Sequence, residues 1–186
     1  MPWRVWKPEF SPDKTLTEVL STMPRDEPEK VPWQIKLLEN PKSPLRLPGA
    51  ISLFRHDCLH AMLCTSFYSE CEAWTLGYTM GAAKNVSRFH VWLFKRWSAF
   101  YPGQYALTDK DLEHFDRGFE KGRESPIRDV HLIPFERPEY QEMTMGDLRK
   151  RFNLHWIDED HEYQQWAADR WGDKPLMEET EPAETS

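Results

Sequence analysis

Between residues 56 and 72 the chain carries His56, Asp57, His60 and Glu72, four side chains able to hold a divalent metal ion. On a helix His56 and His60 stand at i and i+4, so their imidazoles share a face within reach of one ion. Asp57 lies about 100° round from His56 but nearer His60, where it either ligates or orients a ring. Imidazole nitrogens with carboxylate oxygens suit zinc, and also iron or manganese. Two histidines four apart also mark metalloprotease helices, but the glutamate those helices carry beside the first histidine is replaced here by Asp57.

Glu72 sets a condition on this site. In one unbroken helix, a rise of roughly 1.5 Å per residue would put Glu72 ~18 Å from His60, too far to share an ion. The chain must turn between them. Thr65, Ser66 and Ser69 are poor residues inside a helix and good ones at its ends. Ser69 and Glu72 also have capping-box spacing. This predicts a helix, a turn at 65–69 and a second helix that returns Glu72 to the histidines. Plainer alternatives stand beside it: Glu72 only caps its helix, Asp57 only pairs with Arg55 or a nearby lysine, or the cluster is purely structural. Cys58, Cys64 and Cys71 read as small buried apolar residues. Three cysteines in one segment make no disulfide framework, and without a Cys-x-x-Cys pair they make no zinc knuckle.

The remaining elements must position this segment. At 186 residues the chain has the length of one domain with tails. Residues 1–47 are rich in proline and charge. They predict an irregular arm laid over a core through Trp3, Trp6 and Trp33, with one short helix capped by Thr15 and Glu18. From residue 48 the apolar spacing turns helical. Residues 70 to about 100 run on without a proline, with Val86, Phe89, Leu93, Trp97 and Phe100 at intervals of three or four, until Tyr101-Pro102-Gly103 stops them. Thr108 and Asp111 cap a further helix, with Leu112, Phe115 and Phe119 facing inward, that ends at Ser125-Pro126. Residues 127–135 alternate weakly and predict extended chain. Thr144 and Asp147 repeat the capping pattern, and a last amphipathic stretch carries Trp166 and Trp171. His155, Asp158, Asp160 and His161 within it read as an acidic helix N-terminus rather than a second metal site. Residues 172–186 are acidic, with little to bury, and predict a disordered tail. The expectation is an all-α, bundle-like single domain over 48–171.

The formal net charge of −7 without a basic tract argues against nucleic acid as partner. No apolar run approaches the roughly 20 residues that span a bilayer, and the N-terminus has no secretory signal pattern. A cytoplasmic or peripheral-membrane protein of a reducing compartment is expected.

His56-Asp57-x-x-His60, then eleven residues, then Glu72, resembles the HDxxH-x11-E signature of the coenzyme Q (ubiquinone) biosynthesis protein four family. The frame "RHDCLHAML…ECEAWTLGYTMGAA" is similar to that family's motif helix, loop and following helix, and residues 115–154 carry a looser echo. The resemblance covers roughly residues 48–155; the N-terminal 47 residues and the acidic tail depart from it. It implies an all-helical protein with a divalent metal, zinc foremost, on His56, Asp57, His60 and Glu72. It also implies a role in quinone biosynthesis, either in removing a head-group carboxyl or in organising a multi-enzyme complex, with a prenylated quinone or other isoprenoid as ligand. A long apolar groove would then be needed, for which Trp74, Phe89, Trp92, Leu93 and Trp97 are candidate lining residues, with Arg88, Lys95 and Arg96 placed to meet a membrane surface. The alternatives are a non-catalytic scaffold or lipid carrier and, more weakly, a metal-dependent phosphohydrolase.

Overall fold

Thr15, Ser87, Thr108 and Thr144 each stand one residue ahead of a helix, and each side chain accepts the backbone N–H three residues on. Each thereby satisfies a donor that the first helical turn leaves unpaired. The computed structural model describes Trp6 and residues 11–24 and 31–169; the expectations for Trp3, Trp171 and the tail at 172–186 fall outside these residues. The chain is all-α. Its helices are α1 (Leu16–Ser21), α2 (Trp33–Glu39), α3 (Leu53–Leu63), α4 (Ser69–Ala82), α5 (Arg88–Ser98), α6 (Asp109–Glu124), α7 (Pro138–Gln141), α8 (Met145–Arg151), α9 (Trp156–Glu159) and α10 (His161–Asp169). An isolated bridge joins Thr15 to Thr144, and the described residues contain no strand.

The centre of the fold is α4. Ten of its residues, from Cys71 to Ala82, are buried, and such a helix, apolar on every side, belongs inside a core. Trp74, Tyr78 and Ala82 join a cluster built with α1, α3 and α8, while Ala73 and Met80 join a second with Phe94 and Phe115. Against α6 the packing is backbone on backbone. A Cβ placed on Gly77 would lie 2.1 Å from the Phe115 carbonyl oxygen, and one on Gly118 would lie 2.1 Å from that of Trp74. Gly81 and Gly122 repeat the arrangement one turn on. Only glycine permits this approach. Trp74 meets Gly118 and Tyr78 meets Gly122, so the two helices run parallel.

Three expectations are corrected. Residues 70–100 are two helices, because the chain leaves the helix at Ala83, where Asp129 accepts the Lys84 N–H and donates its own to Ala82. Ser87 then begins α5 with a capping box completed by His90 rather than an acidic residue. Residues 127–135 are not extended but hold a 3-10 turn at 130–132. In the N-terminal arm Trp6 packs on Phe67 as expected and α1 puts Leu16, Val19 and Leu20 in the main core, but Trp33 does not lie on a core and is 65% exposed.

Candidate metal centre

The turn that the site requires is present. Leu63 ends α3, and Cys64 takes a left-handed conformation at φ 51° while Thr65 donates its N–H to the His60 carbonyl. Such a conformation costs a non-glycine residue about 1–2 kcal/mol. The fully buried Arg149 holds it in place. Its guanidinium donates to the Met62 carbonyl (3.1 Å) and to Cys64 Sγ (2.7 Å), and pairs with Asp158 at 2.6 Å. Asp158 stands in the acidic first turn of α9, as expected, and also serves this clasp, while Asp160 accepts the Tyr163 N–H at the start of α10. None of the three cysteines is in a disulfide, and all three are buried. Burial pushes the thiols of Cys64 and Cys71 up to about 12, and that of Cys58 well up as well, so all three act as apolar fillers.

Tyr68 is the N-cap of α4, without a side-chain cap bond, so the capping box expected of Ser69 and Glu72 does not form. Ser69 instead donates to Asp111 Oδ1 at 3.0 Å, tying the start of α4 to the start of α6. Glu72 turns to the histidines. Its Oε2 lies 3.4 Å from His56 Nε2 and 3.5 Å from His60 Nε2, and the three donor atoms fall within 4.8 Å of one another.

The donor set fits a metal ion. Bonds of about 2.0–2.1 Å in a tetrahedron place neighbouring donors roughly 3.3–3.4 Å apart, close to the two separations from Glu72, while the two imidazole nitrogens lie within 4.8 Å of each other. Those separations are long for charge-assisted hydrogen bonds, which run to about 2.9 Å. His60 Nε2 is in fact buried without a hydrogen-bond partner, a state that costs about 1–3 kcal/mol unless something meets it. The other ring nitrogen is held firmly. His60 Nδ1 stands 3.2 Å from the Thr65 carbonyl oxygen and 2.9 Å from Thr65 Oγ1, which is itself 3.0 Å from Thr75 Oγ1. A carbonyl only accepts, so the hydrogen sits on Nδ1 and Nε2 is the atom that faces Glu72.

Burial opposes a charged His60, but the Glu72 carboxylate, helped by Asp57, outweighs it and holds the imidazole above its ordinary pKa. His56 goes the other way, down to about 4, because burial and then His60 both oppose its charge. A divalent cation here would compete with protons for the same donor atoms. The carboxylate of Asp57 lies outside the converging three; it lines the adjoining cavity and acts on His60 through its charge. Arg55 pairs with Glu136 at 2.9 Å.

A cavity of about 370 Å³ adjoins the group, with His56, Asp57, Ser69 and Glu72 in its wall. Its apolar wall is Ile35, Ile51, Leu53, Phe67, Leu76 and Leu107, and Glu39 and Tyr101 add polar atoms. None of the five residues expected to line a groove lines this cavity. Trp74, stacked on Tyr78 and 4% exposed, lines a separate pocket with Trp156 and Tyr163. Leu93 and Trp97 pack on the second cluster, and Trp97 Nε1 donates to the Gln34 carbonyl. Phe89 and Trp92 stack on each other at the surface, 61% and 59% exposed. A sequence pattern for the true lining is faint, because it is shared between α2, the turn into α3 and residues 101–107.

No protein-family model matches the chain, and no curated protein and no solved structure matches it. No helix among the described residues is long and apolar enough to cross a membrane. Fold and site together define an all-α protein in which His56, His60 and Glu72 could hold a metal ion beside an apolar cavity.

Proposed function

We propose that the chain is a metal-binding protein of the coenzyme Q biosynthesis kind, acting on or carrying a prenylated quinone precursor or related isoprenoid. One observation carries this reading. His60 Nε2 is fully buried, has no hydrogen-bond partner, and faces Glu72 in a cluster that opens on an apolar cavity. Zinc suits two imidazoles and a carboxylate, and three protein donors leave a fourth position for substrate, as in catalytic zinc sites. When bound, such an ion supplies Lewis acidity to an oxygen of the head group, the chemistry that loss of a ring carboxyl would draw on. His56 and His60 would hold the ion, Glu72 would offset its charge, and Asp57 would add a negative field at the cavity wall. Phe67, Ile51 and Leu76 would exclude water and receive the first part of an isoprenoid chain.

The paired, exposed Phe89 and Trp92 support a second reading, a scaffold or carrier that meets a partner protein or membrane surface through α5.

Metal analysis tests the first reading. The purified protein should bind about one zinc, and the His56→Ala/His60→Ala variant should bind none while keeping its helical circular dichroism. Equal zinc in both would end it. Mass spectrometry of lipid extracted gently from the purified chain should find prenylated material; turnover of phosphate esters on adding metal would instead favour a phosphohydrolase.

A further inference from the structure

A second concavity lies on the side of α4 away from the histidines. Trp74 stands roughly 160° round that helix from Glu72. With Trp156 of α9 and Tyr163 of α10 it lines an open groove of about 470 Å³, whose rim is an exposed face of α6. The groove shares no lining residue with the metal cavity. Trp74 and Tyr163 are buried and Trp156 is half-buried, so the three aromatic rings make its floor. They are inclined rather than stacked. Trp74 and Trp156 stand 5.7 and 5.1 Å from the Tyr163 ring, at 55° and 73° to it, and form an aromatic corner.

The rim sets the charge of the occupant. Among the described lining residues Asp116, Glu120, Glu124 and Asp160 are acidic, against the basic Arg117 and Lys121. Asp116 pairs with Lys95, whereas Glu120 has no ion-pair partner among the described residues. The corner already holds one cation of the chain's own. Lys121 Nζ lies 5.3 Å from the centre of the Trp156 ring and 3.3 Å from Glu124 Oε2. An ammonium between an aromatic face and a carboxylate is the arrangement by which proteins take up organic cations. The floor selects among such cations. The Tyr163 hydroxyl is buried on the Leu63 carbonyl, and indoles only donate, so the floor has no acceptor to offer. A primary ammonium or guanidinium set against it leaves N–H groups unmatched, which is costly; a fully methylated ammonium has none to match. We propose that this groove binds a quaternary methylammonium group, with its methyls on Trp74, Trp156 and Tyr163 and its charge met by Glu120 and Glu124. Lys121 is the internal cation that it displaces. The group comes either on a small solute or on a lipid headgroup.

The test titrates the full chain with choline, with its uncharged isostere 3,3-dimethylbutan-1-ol, and with ethanolamine, and follows the indole N–H signals by NMR. Choline should shift the Trp156 signal and bind about tenfold tighter than either of the other two, the worth of a partly desolvated cation–π contact. Trp156→Leu, which keeps an apolar side chain at that position, should erase the preference. Glu120→Gln, at the exposed rim, should weaken choline about threefold without touching the neutral probe, and Lys121→Gln should tighten it by a similar factor. Choline that binds no better than the neutral isostere overturns the proposal, and so does ethanolamine that binds as well as choline. A preference that survives Trp156→Leu also overturns it. Should that variant not fold, choline affinity unchanged in both Glu120→Gln and Lys121→Gln does the same. Sedimentation of the chain with phosphatidylcholine vesicles but not with phosphatidylglycerol vesicles, lost in Trp156→Leu, places the group on a lipid; choline binding without sedimentation places it on a free solute.

Discussion

On one side of α4, Gly77 and Gly81 lie so close to α6 that an added Cβ would come within 2.1 Å of a carbonyl oxygen. On the other side, Glu72 faces a cavity of about 370 Å³. At about 100° per residue, Gly77 and Gly81 are roughly 140° and 180° round from Glu72, so these are opposite faces of one helix. The first has no side chain that can adjust and no space. The second has space, and polar atoms gathered at its wall. The difference shows how a small helical fold builds a site. The seam fixes the axis and rotation of α4, and this fixes the carboxylate on the far side against two histidines from another helix.

Breaking the seam has the largest expected effect. Gly77→Ala or Gly118→Ala forces a methyl against backbone that cannot move without parting the helices. Either should cost about 4 kcal/mol or more, the range of severe overpacking, and remove cooperative urea unfolding. An alanine variant that unfolds like the parent would mean the helices are not in backbone contact.

On the open face the effects are smaller and depend on pH. The Glu39 carboxyl is raised from 4.5 to about 7. Between those values the folded chain holds a proton that the unfolded chain has released, so stability falls as pH rises through the window. Glu39→Gln removes this. It should be more stable than the parent by about 2–3 kcal/mol at pH 8, after allowance for partial exposure, and the advantage should shrink toward pH 4.5. Urea midpoints at the two pH values measure it, and an advantage of constant size would mean that the carboxyl titrates normally.

The finest test sharpens the site itself. Thr65→Val keeps the shape beside His60 but removes the hydroxyl 2.9 Å from its Nδ1. Zinc affinity should fall about 10- to 100-fold, as when other partners that orient a ligand are lost, with the helical content kept. Competition with a chromophoric chelator reads this directly, and unchanged affinity would leave the Thr65 carbonyl as sufficient support.

The convergence of Glu72 on the histidines was legible because helix geometry forbids it without a break, and Thr65, Ser66 and Ser69 supplied one. How those residues act was not legible. Thr65 and Ser66 are buried partners of His60 and Cys71, and Ser69 reaches Asp111 across 42 positions. Three of the four helix starts with side-chain caps followed the ordinary Thr-x-x-Asp/Glu pattern. The fourth, Ser87 with His90, hid the end of α4, because histidine is an unusual capping partner. The glycines at 77, 81, 118 and 122 were visible as letters, but what they do is defined only by the opposing helix. Apolar spacing set Phe89 on the same stripe as Leu93 and Trp97, yet α5 leaves it at the surface beside Trp92. The cavity wall could not be read along the chain, since it is gathered from segments more than sixty positions apart, as Glu39 and Tyr101 show.

The three converging donors all come from residues 56–72, one helix, one turn and the start of the next. The opposite wall comes from residues 31–42 and 101–107. Closing a short loop costs little chain entropy, and contacts of low sequence separation form first. The two halves of the cavity therefore differ in what they cost to assemble: the donors need only a short loop closed, whereas the opposite wall must be gathered from distant parts of the chain.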